Sequence, residues 1–202
     1  MRDTGPKVKR SRQLGIALTP KAARIMARRP NPPGQHGPER ARSARQASDY
    51  KRQLLEKQRL KAQYQIHERQ MRNYFRAAAT GHGNTADNLV RLLETRLDAL
   101  VLHGGLAPTI YAARQLVTHG HVELNGRKVT FPAHAVRPGD TVRARAKSRD
   151  LPLVAEAVEA ANPPPYLALD REARAVTLRT WPEHGQVPII CELSQVVEFY
   201  SR

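Results

Sequence analysis

The sequence predicts an α+β fold: a basic, irregular N-terminal arm, a helical domain, and an inserted module of two helices with a small antiparallel sheet. Three observations predict it. From Ser48 to Thr80 there is no Gly or Pro, a run long enough for two helices. Between Leu89 and Val117 apolar residues recur at helical spacing, whereas from Val122 to Ala144 they alternate with polar ones. Finally, the chain has 202 residues with 34 Lys+Arg and 18 Asp+Glu, and its first 80 residues hold 20 and 5 of these.

Residues 1–47 form the arm. They lack the aromatic and large aliphatic side chains needed to offset chain entropy, and RRPNPPGQHG breaks any helix there. The arm is therefore expected to be irregular and ordered mainly by a partner. Residues 48–93 are expected to be helical. Ser48 is a capping hydroxyl and Asp49 an acid in the first turn. Tyr50, Leu54, Ile66, Tyr74 and Phe75 make an apolar side, Arg52, Lys57, Arg59, Lys61, Arg69, Arg72 and Arg76 crowd the rest, and a break is expected near residues 65–67. After Gly81 and Gly83, Asn84 or Thr85 caps one core helix carrying Leu89, Leu93, Leu97, Leu100 and Val101, stopped by Gly104 and Gly105.

Residues 94–161 form the module. Thr109 caps a short helix that turns Ile110, Ala113, Leu116 and Val117 inward and leaves Arg114, Gln115, Thr118 and His119 outside, and Gly120 ends it in a left-handed conformation. Val122 and Leu124 lead into an Asn125-Gly126 hairpin turn, Arg127 and Lys128 open the return strand, and Val129 and Phe131 are expected to pack back. In TVRARAK, Val142, Ala144 and Ala146 share one face and Arg143, Arg145 and Lys147 the other, and LPLVAEAVEAA is a short helix. Residues 162–202 supply two strands, YLALD and AVTLRTW, and a C-terminal helix with Leu193, Val196, Val197 and Tyr200 on one face. That face needs cover, so this segment is expected to complete the helical domain around the inserted module.

A formal net charge of +16 opposes self-association and favours a polyanion, nucleic acid first and an anionic membrane surface second. Aromatics make up only 5%, which argues against a base-stacking platform as the main binding device. The single cysteine, Cys191, excludes an intrachain disulfide framework and fits a reducing, cytoplasmic setting; it lies in an apolar run, as a buried thiol would. No apolar run approaches a membrane span, and no secretory signal follows the charged N-terminus.

His119 and His121 sit across a helix end with no nearby cysteine, and His36 has Gly and Pro neighbours, so no metal or other cofactor is expected. No Ser-His-Asp set, phosphate loop or carboxylate pair points to a small-molecule substrate. The one enzymatic alternative is Arg96-Leu97-Asp98, which resembles the catalytic motif of pseudouridine synthases, with Asp98 as the attacking group. The large catalytic domain those enzymes carry after such a module is missing, and Asp98 pairing with Arg96 is the simpler role.

ETRLDALV followed by AARQLVTHGHVELNGRKV resembles the RNA-binding module named after the fourth small-subunit ribosomal protein. GPKVKRSR with PPGQHG resembles the arm of that ribosomal family, SDYKRQLLEKQ and HERQMRNYFR its first helical domain, and VEFYSR its C-terminal helix. The resemblance implies a non-enzymatic protein of the small (30S) subunit that binds 16S rRNA, helps nucleate assembly and contributes to translational accuracy. It implies neighbours where mRNA enters, above all the fifth small-subunit protein, with mRNA itself a further partner. Some family members hold zinc through arm cysteines, whereas this arm has none. The expected RNA-facing residues are Lys7, Lys9, Arg10, Arg12, Gln35, His36, Arg45, Ser48, Tyr50, Arg52, Lys57, Arg59, Lys61, Arg69, Arg72, Asn73 and Arg76, with Arg114, Gln115, His119, Arg127 and Lys128 in the module.

Overall fold

A computed structural model describes residues 5–39 and 48–201. The chain divides into two compact units, residues 1–76 with 189–202, and residues 77–188.

The first unit is helical. Helix α1 spans Lys7–Leu14 and α2 spans Pro20–Arg28, where the sequence suggested an irregular arm. Two local signals support them. Gly15 adopts φ 70° to end α1, and the Thr19 hydroxyl accepts from Ala22 N at 3.2 Å, with Pro20 following it in the first turn. The decisive cover is tertiary: Leu14 and Ile16 bury against Ala62, with Leu18 and Leu55 alongside. Few aliphatics suffice because the chain's own helix α3, Asp49–Gln63, supplies the other half of this small core. The Ser48 hydroxyl caps α3 as expected. Gln65 at φ 49° makes the expected break before α4, Glu68–Thr80. The C-terminal helix, Leu193–Ser201, packs along α3 through Leu193 and Val196.

In the second unit the expected single core helix is two, α5 at Thr85–Glu94 and α6 at Leu97–His103. Arg96 is extended, with ψ 141°, and bridges Ala135. Leu97 N donates to His134 O at 2.9 Å, Asp98 N to Pro132 O at 3.0 Å, and Val136 N to Thr95 O at 2.8 Å. A loop some 35 residues away thus satisfies the exposed donors of a new helix start, which a sequence window cannot show.

Helix α7, Ile110–Thr118, has the Thr109 cap, and Gly120 turns the chain at φ 73°. Strands β1, Val122–Leu124, and β2, Arg127–Lys128, flank Asn125 and Gly126 at φ 49° and 78°, the type I′ geometry their sequence demands. Strand β3 covers Thr141–Ala144 and stops before Ala146, which opens a 3₁₀ turn. After α8, Pro152–Glu159, come β4, Leu167–Asp170, and β5, Ala175–Leu178.

The antiparallel sheet runs β2-β1-β3-β5-β4, with Val142 opposite Val176. Strands β4 and β5 therefore extend the module's sheet, although residues 162–202 were expected to complete the helical domain. The free edge of β3 and the apolar Tyr166, Leu167, Val176 and Leu178 draw them into the core with Leu97, Leu100, Ala113 and Val117. Phe131 does not pack back. Pro132 and Val136 take the buried positions of that loop, and Phe131 is 64% exposed.

Candidate nucleic-acid interface

The cations of the first unit fall into two sets. One set holds the fold. Gln53, Lys57 and Leu60 form the buried stripe of α3 that meets the C-terminal helix. Lys57 is consequently buried, 3.2 Å from Glu68 and 4.3 Å from the centre of the Phe199 ring. Lys61 lies 2.7 Å from the same carboxylate, and Tyr200 donates to it at 2.9 Å. Burial alone would raise the Glu68 carboxyl. Hydrogen bonds from Lys61, Tyr200 and Lys57, with the Lys61 charge, override it and hold that carboxyl at about 2. Arg59 pairs with Glu56 at 2.6 Å and donates to Leu14 O at 2.8 Å, joining α1 to α3. Arg12 donates to Asn31 O at 2.8 Å and to Arg29 O at 3.3 Å. Arg12, Lys57, Arg59 and Lys61, expected to face a ligand, are thus engaged in contacts within the unit. Ser48 is engaged as a cap, and Arg52 pairs with Asp49 at the surface.

The other set faces solvent. Lys7, Lys9, Arg69, Arg72, Asn73 and Arg76 are exposed, and Arg10 is half-buried. Arg72 keeps only a 3.7 Å approach to Glu68. Gln35 is exposed, His36 sits 2.9 Å from Glu39, and Tyr50 is exposed with its ring tilted on Phe199. Arg45 lies outside the described residues. The α1 cations border a recess of about 350 Å³ lined by Lys9, Arg10, Gln13 and Gln58. The sequence reading missed Lys21, Arg24 and Arg28, which form an exposed stripe on α2; their i, i+3, i+7 spacing was the available signal. It also missed Lys51, exposed on α3.

In the second unit, residues 110–149 carry eight Lys+Arg and two Asp+Glu, a net of +6. The rest of 81–202 carries six and eleven, a net of −5. The near-neutral half of the chain is thus strongly segregated along α7, the hairpin and β3. Gln115, His119, Arg127 and Lys128 are exposed there. The hairpin orients them: Arg127 pairs with Leu124 and Lys128 with Glu123 across the ladder, and Arg143 pairs with Glu123 from β3. Gly120 leaves room for the Lys128 stem, because a Cβ there would meet Lys128 Cε at 2.3 Å.

Arg114 is the exception. It is largely buried, 3.8 Å from Asp98. Asp98 is fully buried and accepts both arms of the Arg96 guanidinium, at 2.9 and 2.6 Å. Burial pushes its carboxyl up while Arg96 and Arg114 pull against it. The clasp makes Arg114, expected to face RNA, a brace between α6 and α7, and it gives Asp98 the pairing with Arg96 that the sequence favoured, with no exposed carboxylate left for the enzymatic alternative. His121 bonds Ser148 at 2.8 Å, and its ring centre is 6.1 Å from that of His119. Among the described residues, no three His, Cys, Asp or Glu side chains gather as a metal site, and no helix is long and apolar enough to cross a membrane. In each unit by itself, exposed cations such as Arg24 and Arg69 in the first, and Arg127 and Lys128 in the second, are suited to neutralising phosphates.

Residues 2–94 match the family described as ribosomal protein S4/S9 N-terminal domain, and residues 95–142 match the S4 domain. The chain is 50% identical to the small ribosomal subunit protein uS4 of Streptomyces avermitilis over 202 residues, covering 98% of this chain and 97% of that one. It is 47% identical to uS4 of Micrococcus luteus, covering 96% and 95%, and 45% identical to uS4 of Geobacillus stearothermophilus, covering 100% and 99%.

Proposed function

The chain belongs to the uS4 family of small-subunit ribosomal proteins, and from that premise we propose that it binds 16S rRNA directly and helps nucleate assembly of the small subunit. The observation that carries the reading is the sorting of charge, with exposed cations on α1, α2 and α4 and a +6 segment around the hairpin. Neutralising phosphates releases counterions and supplies most of the affinity. A-form RNA hides its major groove, so two rigid cationic surfaces read the shape of a folded junction more than base sequence. The RNA-facing set becomes Lys7, Lys9, Arg10, Gln35, His36, Arg69, Arg72, Asn73, Arg76, Gln115, His119, Arg127 and Lys128, with Lys21, Arg24 and Arg28 added. A place beside the fifth small-subunit protein where mRNA enters, and a share in translational accuracy, follow from the family resemblance.

The test is binding of the full chain to transcribed 16S rRNA across a salt series. Arg69→Glu with Arg72→Glu weakens binding and flattens the salt dependence. A slope unchanged by that pair removes α4 from the interface, and equal affinity for duplex DNA at matched salt defeats the rRNA assignment.

A further inference from the structure

Phe131 is a large apolar side chain that the fold leaves in water. Other exposed rings have company: Tyr50 leans on Phe199, and Trp181 lies under Arg91 at 5.7 Å. Among the described residues, Phe131 pairs with no other ring and no cation, and it is the most exposed large apolar residue at 64%. Its backbone is not loose. The loop is tied to the start of α6 by the bonds to His134 O and Pro132 O, by Val136 N to Thr95 O, and by the Arg96–Ala135 bridge. Pro132 and Val136 anchor it from below. A ring on so fixed a support loses little freedom when something binds it.

The residues flanking the ring along the chain point to the occupant. Arg127 and Lys128 precede it, His134 and Arg137 follow it, all exposed, within the segment of eight cations to two acids. An apolar protein partner would have to desolvate those charges, whereas an unpaired nucleotide offers a flat base to the ring and a phosphate to the cations. Building on the rRNA-binding reading, we propose that Phe131 is a stacking surface for an unpaired base of the bound RNA. It acts as one shelf beside the phosphate contacts, in keeping with a chain that is only 5% aromatic.

The test uses the full chain and transcribed 16S rRNA. Phe131→Leu, at an exposed position, keeps the wild-type urea midpoint. It lowers affinity about tenfold at fixed salt, the scale of one lost base–aromatic stack. The salt slope stays at the wild-type value, because no charge is removed. Phe131→Trp retains affinity, and in a Trp181→Phe background its indole emission is quenched as the rRNA saturates. Phe131→Leu leaves binding to a fully paired RNA duplex unchanged. Wild-type affinity of Phe131→Leu for 16S rRNA, unquenched indole emission from Phe131→Trp, or an equal loss on the duplex overturns the stacking proposal and leaves rRNA binding standing. If the wild-type chain itself shows no preference for 16S rRNA over duplex, the broader reading falls first and takes this one with it.

Discussion

The two units hold themselves together in different ways, and the difference shows how to read a basic protein. In the second, an aliphatic core of Leu97, Leu100, Val117, Val142 and Val176 carries the fold, and most cations are left outside. In the first, Leu14, Ile16, Leu60, Ala62, Met71, Leu193 and Val196 are buried too, but Lys57, Lys61 and Arg59 are drawn in among the helices to bind Glu68, Glu56 and a backbone carbonyl. A lysine in a positive sequence is therefore as apt to be a structural member as a ligand contact. The second unit has buried polar devices as well: the Arg96–Asp98 clasp, and Glu94, which lies 2.7 Å from His103 and accepts from the Tyr166 hydroxyl at 2.7 Å.

Breaking the Arg96–Asp98 clasp should have the largest effect. Asp98→Asn leaves the Arg96 guanidinium buried without its counter-charge and is expected to cost about 4 kcal/mol in urea unfolding. A cost under about 1 kcal/mol would mean the aliphatic core alone suffices. Lys57→Ala is expected to cost about 3 kcal/mol, while Lys57→Met, which keeps the apolar stem on Phe199, recovers much of it. Equal losses in the two variants would place the stabilisation in the charge alone.

Acid should separate the units by a smaller step. The Glu68 carboxyl is held below its unfolded value, so its contribution is fully present above about pH 4.5 and is lost as pH falls toward about 2. Urea titrations at stepped pH should show the first unit weakening through that window, and Glu68→Gln should remove the dependence. Arg127→Ala with Lys128→Ala should change stability by no more than about 0.5 kcal/mol. The same pair should weaken rRNA binding and reduce the salt slope by roughly 0.7–0.9 for each phosphate left without its cation. A fallen urea midpoint would make those two residues structural as well. The smallest effect is at Cys191, whose thiol is pushed up to about 12 chiefly by burial, with the Glu56 charge adding to it. Alkylation of the folded chain at pH 8 should run on the order of tens to a hundredfold slower than that of an ordinary cysteine, and the reacted fraction should follow unfolding.

Features decided within a few residues were legible in advance. The Ser48 and Thr109 caps, the Gln65 break, the Gly120 turn and the Asn125-Gly126 hairpin all follow from local hydrogen bonding and allowed backbone angles. The charge asymmetry and the ordered family motifs were equally open, because they need no coordinates. What stayed hidden depended on distant partners. The break at Arg96 exists because the loop at 131–136 supplies carbonyls to Leu97 and Asp98. The strands at 167–178 join β3 because its edge and the core beneath it were free to take them. Lys57 and Arg114 left the surface because carboxylates from elsewhere in the fold were waiting, and Phe131 stayed there because Pro132 and Val136 had filled the inside. By itself the sequence determined that this is a basic α+β protein with a hairpin module, since composition and turn chemistry are local quantities. Which cations hold the fold and which remain exposed was decided only by tertiary structure, because burial and ion pairing belong to pairs of residues that meet only once the chain has folded.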